Sequence, residues 1–221
     1  MKDIAAATAK ILIVDDHPIV REGLVRYIEN EPDLSVVGES ENADDAFAAV
    51  GRLRPTLVLV DLSLKGKPGM ELIKDMKIHH PSVLVLVLSM HDESIWAERS
   101  LRAGACGYVM KQEKPSEVLN RIRQALRGEI ALSEAMSAKL LRRAAGKRVI
   151  ETSTTVEALS DRELQVLQLI GEGMTNRQVA SVLHISQRTV DAHREHIKAK
   201  LRLNSGAELL RYAFMHAFGG A

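Results

Sequence analysis

The chain predicts two folded units: a doubly wound α/β domain with a five-stranded parallel sheet, then a smaller all-α domain of four helices. Three observations carry this expectation. Five apolar runs alternate with five helical stretches through residues 10–127, three of these runs are apolar without interruption, and the strand pattern stops after Gly128. Uninterrupted apolarity is what a strand covered on both faces requires, whereas a half-exposed strand alternates. At 221 residues the chain also exceeds one ordinary domain and suits two.

The first four pairs are Ile11 to Val14 with Ile19 to Glu29, Leu34 to Gly38 with Ala43 to Arg52, Leu57 to Val60 with Met70 to His79, and Val83 to Leu88 with Glu93 to Ala103. Gly107 to Met110 with Ser116 to Arg127 completes the set. In the second half only helical patterns occur: Arg162 to Glu172, Asn176 to Leu183, Gln187 to Leu201 and Ala207 to Ala217. Ser160 with Glu163 reads as a capping box, Thr175 with Gln178 and Ser186 with Thr189 begin the next two helices, and Gly171 and Gly173 end the first. Residues 128–156 read as a linker holding a basic helix, Ser133 to Arg143, and a polar stretch around Glu151 to Thr155. The expected domains are 10–127 and 157–221. Residues 1–9 form an Ala-rich N-terminal extension lacking the apolar core of a secretory signal.

Composition narrows the class. The chain is 46% hydrophobic and 27% charged, and no apolar run approaches the ~20 residues of a membrane helix, so a cytoplasmic protein without membrane insertion is expected. One cysteine, Cys106, excludes an internal disulfide framework, and it and Trp96 read as packing residues. The net charge of +1 hides a gradient: 16 Lys and Arg against 19 Asp and Glu in residues 1–126, then 6 against 3, then 8 against 7 from residue 157.

Ligands of a parallel α/β sheet bind beyond the carboxyl ends of its strands. Asp15 and Asp16 follow the first strand, Asp61 closes the third, Ser89 closes the fourth and Lys111 follows the fifth, so all five converge on one edge. Clustered carboxylates repel one another and call for a divalent cation, and hard oxygen ligands with room for water suit Mg2+. A carboxylate can also attack a phosphoryl group to form an acyl phosphate when positive charge neutralises the phosphoryl oxygens. Mg2+ and Lys111 would supply that charge, with Ser89 donating a hydrogen bond.

The segments ILIVDDHPIVREGL, LVDLSLKGKPGMELI, LVLSMHDES and GACGYVMKQ closely resemble the receiver domain of two-component response regulators, a flavodoxin-like fold, over residues 10 to about 127. The resemblance implies that Asp61 is phosphorylated, that Asp15, Asp16 and Asp61 bind Mg2+ together with the backbone carbonyl of Ser63, and that Ser89 and Lys111 contact the phosphoryl group. It further implies a switch in which Ser89 shifts toward the phosphate and Tyr108 swings inward, altering the face built from the fourth helix, fifth strand and fifth helix. Gly69 matches the glycine usual at its position, Lys65 replaces a common proline, and Ser63 and His91 lie where side chains influence phosphate lifetime.

Residues 159 to 203, LSDRELQVLQLIGEGMTNRQVASVLHISQRTVDAHREHIKAKLRL, closely resemble the LuxR-type helix-turn-helix of the NarL/FixJ group. In that geometry Asn176 to Leu183 supports, His184 to Ser186 turns, and Gln187 to Arg202 lies in the major groove. Leu183, Ile185, Val190, Ile197 and Leu201 have the spacing of its buried face. Ser186, Arg188, Thr189, Arg194 and Lys198 are expected at the phosphate backbone, and Asp191, Ala192 and Glu195 at the bases. Asp191 and Glu195 could instead pair with Arg188, Arg194 or Lys198 along the helix. His193 and His196 read as packing or phosphate neighbours, since no Cys or His set with zinc spacing accompanies them.

Together these readings predict a transcription regulator: a sensor histidine kinase phosphorylates Asp61, and the chain, dimeric when active, binds paired sites on double-stranded promoter DNA. Self-phosphorylation and slow autodephosphorylation would be its only catalysis. The alternative is a switch whose helical domain binds a protein or RNA. A metal-dependent hydrolase would need a further acid/base pair, which the sequence does not offer.

Overall fold

Five strands, β1 (Ala9–Val14), β2 (Leu34–Ser40), β3 (Leu57–Val60), β4 (Leu84–Ser89) and β5 (Gly107–Met110), pair in parallel in the order β2-β1-β3-β4-β5. They belong to a computed structural model that describes residues 8–145 and 156–218. The described residues form two compact units, 8–145 and 156–218. Strand order reverses at β1, whose neighbours are β2 on one side and β3 on the other, so the crevice beyond β1 and β3 is the sheet's switch point.

The period of two along a strand divides the buried side chains between the two faces. Ile11, Ile13, Leu57, Leu59, Leu86, Leu88 and Val109 join one core with Val118, Leu119 and Ile122 of α5 (Pro115–Leu126) and Ile28 of α1 (Pro18–Glu29). Their alternates Leu12, Val14, Val58, Val60, Val85, Val87 and Tyr108 are also buried, as are residues of α2 (Ala43–Leu53), α3 (Gly69–His79) and α4 (Glu93–Ala103). Both faces being covered explains the unbroken apolar runs.

Two glycines are demanded by close backbone approach. A Cβ on Gly69 would lie 2.0 Å from the carbonyl oxygen of Asp61, so only glycine lets α3 begin directly against the backbone that follows that aspartate. A Cβ on Gly107 would lie 2.3 Å from the carbonyl oxygen of Ala131. Ala131 runs beside β5 there, donating its N–H to the Cys106 carbonyl (3.0 Å) and accepting from the Tyr108 N–H (2.8 Å).

This contact changes the picture of the segment read as a linker. Ala131, Leu132 and Met136 are buried, and α6 (Glu134–Ala144) is fastened to α4. The Ser133 N–H and hydroxyl both donate to the Glu93 carboxylate, the Ser133 hydroxyl caps α6 by accepting from the Met136 N–H, and Arg143 pairs with Glu98 at 2.6 Å. The described part of the segment, to residue 145, therefore packs on the first unit. Residues 1–7 of the N-terminal extension and the Glu151 to Thr155 stretch lie outside the described residues.

The second unit opens with a 3₁₀ turn, Val156–Ala158, followed by α7 (Asp161–Gly171), α8 (Asn176–Val182), α9 (Gln187–Leu201) and α10 (Gly206–Phe218). Ser160 with Glu163 and Thr175 with Gln178 form reciprocal capping boxes, and the Ser186 hydroxyl accepts from the Thr189 N–H. Gly171 is the last residue of α7, while Gly173 takes the left-handed turn beyond it (φ +84°). Leu183, Val190, Ile197 and Leu201 are buried with Leu164, Leu167 and Leu209, and Ile185 is half-buried.

Buried Glu163 ties this unit together, accepting from the Ser160 N–H (2.7 Å) and from Lys200 of α9 (2.6 Å). Burial pushes its carboxyl upward, but Lys200 and the Ser160 backbone and hydroxyl outweigh this and hold it below the ordinary value. A lowered folded-state pKa contributes stability above the unfolded value, ~4.3, that is lost as pH falls through the folded value. We therefore expect the second unit's melting temperature to fall on acidification below about pH 5, and Glu163→Gln to flatten that dependence while destabilising the unit at neutral pH. In the first unit, Gly107→Ala is expected to cost about 1–3 kcal/mol in a urea unfolding curve, because Ala131 must move off β5.

Candidate functional site

At the switch point, strand pairing places Val14 beside Val60, so the residues that follow, Asp15 and Asp61, face one crevice. The Asp61 N–H donates to the Val14 carbonyl (2.9 Å), and the Lys111 N–H to the Ser89 carbonyl (2.8 Å), anchoring each functional residue at its strand end. Lys111 Nζ reaches in to Asp61 Oδ2 at 2.7 Å and Asp15 Oδ2 at 2.6 Å. Asp61 Oδ1 accepts the Ser63 N–H (3.2 Å).

Charge is out of balance here. Asp15, Asp16 and Asp61 are all buried, and against these three carboxylates stands one buried ammonium, Lys111, leaving two negative charges over. Burial pushes the Asp61 carboxyl upward against the pull of Lys111, and the neighbouring Asp15 charge adds to the push. Burial pulls Lys111 down, yet Asp61 and Asp15 outweigh it and keep the amine protonated. The ligand atoms of Asp15, Asp16, His17 and Asp61 lie within 4.8 Å of one another, and among the described residues buried Asp16 Oδ1 takes no hydrogen bond, only ion-pair contact with His17 Nδ1 at 2.8 Å. Hard oxygen donors, a surplus of two charges and an acceptor with spare capacity fit a divalent cation.

Two residues of this pocket escaped the sequence reading. His17 supplies a partly exposed imidazole at its rim, within 3.2 Å of Asp15 Oδ1 as well. Arg21, buried within α1, donates to the backbone carbonyl of Asp15 (2.6 Å) and pairs with Glu41 (2.7 Å), holding the β1 end in place. The signal for Arg21 was a cation on the inward, otherwise apolar face of α1, four residues beyond His17.

The fourth strand end connects the pocket to α4. Fully buried Ser89 accepts the His91 N–H at 3.2 Å, and His91 Nε2 lies 3.0 Å from the Ser63 hydroxyl. The same imidazole stacks on Trp96 of α4 (5.2 Å between ring centroids), and burial, with Lys111 adding, draws it down to about 4, so it is neutral at physiological pH. Tyr108 is fully buried, its hydroxyl donating to the His91 carbonyl (2.8 Å) beside Ser89. It thus already occupies the inward position that the sequence reading ties to activation. Lys65 approaches Asp16 Oδ2 at 3.9 Å from the loop after β3. Cys106 packs as read, its thiol donating to the Val85 carbonyl, and burial pushes it up to about 11.

In the second unit, α8 and α9 form a helix pair joined through His184, whose φ of +50° makes the turn. Arg162 of α7 donates to the Leu183 carbonyl and closes the end of α8. Val190, Ile197 and Leu201 face the core, leaving Arg188, Asp191, Ala192 and Glu195 exposed on the outer face of α9. Ser186 and Thr189 lie at its exposed start. Arg194 and Lys198 are half-buried at its flanks. Glu195 pairs with Lys198 at 2.9 Å along the helix, one of the two arrangements expected. Asp191 does not pair within the helix. It accepts from Asn176 of α8 at 2.5 Å, and Arg194 donates to the same amide at 3.2 Å. His193 is half-buried, in keeping with packing.

Comparison with known proteins agrees with both halves of this description. The response regulator receiver domain family matches residues 11–123, and the luxR family of bacterial regulatory proteins matches residues 157–213. The chain is 32% identical over 209 residues to the response regulator protein VraR of Staphylococcus aureus, covering 95% of this chain and 98% of VraR. It is 35% identical over 202 residues to the nitrate/nitrite response regulator protein NarL of Escherichia coli, covering 90% and 92%. Among solved structures, Salmonella typhimurium RcsB response regulator aligns with a TM-score of 0.68 at 26% identity over 94% of this chain and 98% of that one. RcsB from Salmonella enterica serovar Typhimurium bound to promoter rprA in the presence of phosphomimetic BeF3− aligns with a TM-score of 0.63 at 28% identity, over the same shares.

Trp96 is the single tryptophan and stacks on an imidazole that contacts the pocket, so its emission should report what the pocket holds. Titration with Mg2+ is expected to change Trp96 fluorescence saturably, and Asp16→Asn to weaken the apparent affinity by about 10-fold or more, as loss of a charged ligand implies.

Proposed function

The chain belongs to the two-component response regulators of the NarL/FixJ type, a receiver domain joined to a LuxR-type DNA-binding domain, and from that premise we propose that Asp61 is the phosphoacceptor through which a sensor histidine kinase controls its binding to promoter DNA. The observation that carries this reading is the buried triad of Asp61, Lys111 and Asp15, with Lys111 Nζ within 2.7 Å of both carboxylates. An Asp61 oxygen attacks phosphorus, a P–O bond forms, the P–N bond of the donor phosphohistidine breaks, and its nitrogen keeps the electron pair and regains a proton from solvent. Lys111 pulls against the burial that raises the Asp61 carboxyl and stands ready to neutralise an incoming phosphoryl oxygen. A bound Mg2+ would be held by Asp15, Asp16, Asp61 and the Ser63 carbonyl, and supplies the positive charge that offsets the surplus carboxylates and the phosphoryl oxygens.

Ser89 is the relay. Its hydroxyl donates to the phosphoryl group, and the response passes through the His91 N–H it accepts, through Tyr108 on the His91 carbonyl and through Trp96 on the His91 ring, to the α4 and β5 face. Catalysis by the chain ends with its own phosphorylation and slow hydrolysis of the acyl phosphate. Among the described residues no helix is long and apolar enough to cross a membrane, which supports a cytoplasmic site of action.

On α9, Arg188, Arg194 and Lys198 take the phosphate backbone, together with Ser186 and Thr189 at the helix start, and Ala192 leaves room for bases beside Asp191 and Glu195. The active chain is a homodimer. Leu210 and Phe214, one turn apart on α10, and Met215 form an exposed apolar face suited to a symmetric contact.

Phosphorylation by a small-molecule phosphodonor should raise affinity for promoter duplex, and Asp61→Ala should abolish the increase; equal affinity in both chains under phosphorylating conditions contradicts the proposal. Binding should weaken steeply as salt rises, because phosphate contacts release counterions, whereas no duplex binding at low salt favours a protein or RNA target. A Leu210→Glu, Phe214→Glu double variant should remain monomeric on phosphorylation in light scattering and lose at least about 10-fold in duplex affinity.

A further inference from the structure

On the outer face of α9, Asp191 stands where a side chain meets base edges, yet a carboxylate close to DNA phosphates is repelled unless something holds it and restricts what it can do. The structure supplies the holder from the neighbouring helix. Asn176, the first residue of α8, donates its Nδ2 to Asp191 Oδ1 at 2.5 Å and accepts on its Oδ1 from Arg194 Nη1 at 3.2 Å. These two partners leave no doubt about how the amide is turned: a carboxylate can only accept and a guanidinium can only donate. Asn176 therefore sits between an anion and a cation, with its dipole aligned to both. The arrangement occupies Oδ1 of Asp191 and leaves Oδ2, which takes no hydrogen bond among the described residues, on the exposed face.

Building on the DNA-binding reading above, we infer that Asn176 is a positioning residue for base recognition: it fixes Asp191 as a single hydrogen-bond acceptor, so that each half-site prefers cytosine, through its N4 amino group, at the base pair Asp191 faces. Cytosine is the base whose major-groove edge offers a donor without an adjacent acceptor that a carboxylate would repel. Adenine presents its N6 donor beside the N7 acceptor, and the remaining Asp191 oxygen would be driven toward that lone pair. Arg194, held by the other end of the amide, keeps its remaining donors for the phosphate backbone.

The test is selection of bound duplexes from a random pool by the phosphorylated full chain, compared with Asn176→Ala, Asn176→Asp and Asp191→Asn. The wild type is expected to enrich cytosine at one position per half-site. Asp191→Asn should shift that position toward adenine, whose N6 and N7 an amide can bind together. Asn176→Ala and the similarly sized Asn176→Asp should relax the cytosine preference about tenfold, and in Asn176→Ala, which adds no charge, melting temperature and the salt dependence of non-specific binding should be unchanged, since no phosphate contact is removed. Retention of the cytosine preference in both Asn176 variants, or its absence at every position in a wild type that otherwise selects a defined site, overturns the inference while leaving DNA binding intact. Failure of the wild type to retain any duplex overturns the DNA-binding reading and this inference with it.

Discussion

Three carboxylates and one ammonium share a buried crevice at the carboxyl edge of the sheet, and this surplus of negative charge governs the rest of the first unit. Burying an uncompensated charge costs several kcal/mol, so the site persists only because surrounding groups spread or offset it. Arg21 grips the Asp15 carbonyl, His17 and Lys65 stand at the rim, and Lys111 bridges Asp15 and Asp61. A crevice so arranged favours ligands that bring positive charge and chemistry that needs it. Adding a dianionic phosphoryl group changes the balance again, and the groups able to respond are those already in contact with the site.

That response has a short physical route. Ser89, His91, Tyr108 and Trp96 form an unbroken set of contacts from the pocket to α4, and α4 carries the two glutamates, Glu93 and Glu98, that fasten α6. The face that these contacts reach is therefore also the face on which residues 131–144 rest. Gly107 permits that seating by letting Ala131 approach β5 within hydrogen-bonding distance. A change at one end meets a packed element at the other, and packed elements respond by shifting as units.

Much of this was legible in the sequence, for identifiable reasons. Strands such as Leu57–Val60 announce themselves because being covered on both faces forces every position to be apolar. The capping residues Ser160, Thr175 and Ser186 mark helix starts through chemistry that is local to a few residues. Strand ends are also local, so Asp15, Asp61, Ser89 and Lys111 could be assigned to one edge once the parallel sheet was inferred. What escaped was tertiary. Residues Glu129 to Ser133 are too short a stretch to show a period, so nothing betrayed that Ala131 lies along β5. The partner of Asp191 is fifteen positions away on another helix, and the along-helix pairs that spacing suggests hold for Glu195 and Lys198 but not for it.

Under the proposed function, the charge imbalance makes Asp61 the site of covalent phosphorylation, and does so only with a divalent cation present. The most direct measurement is to treat the chain with a small-molecule phosphodonor, reduce the acyl phosphate with borohydride and map the modified peptide by mass spectrometry. A single reduced carboxyl at Asp61 is expected, formed with Mg2+ and absent when the metal is chelated. Modification at a different residue, or equal modification of Asp61 in chelator, would contradict it.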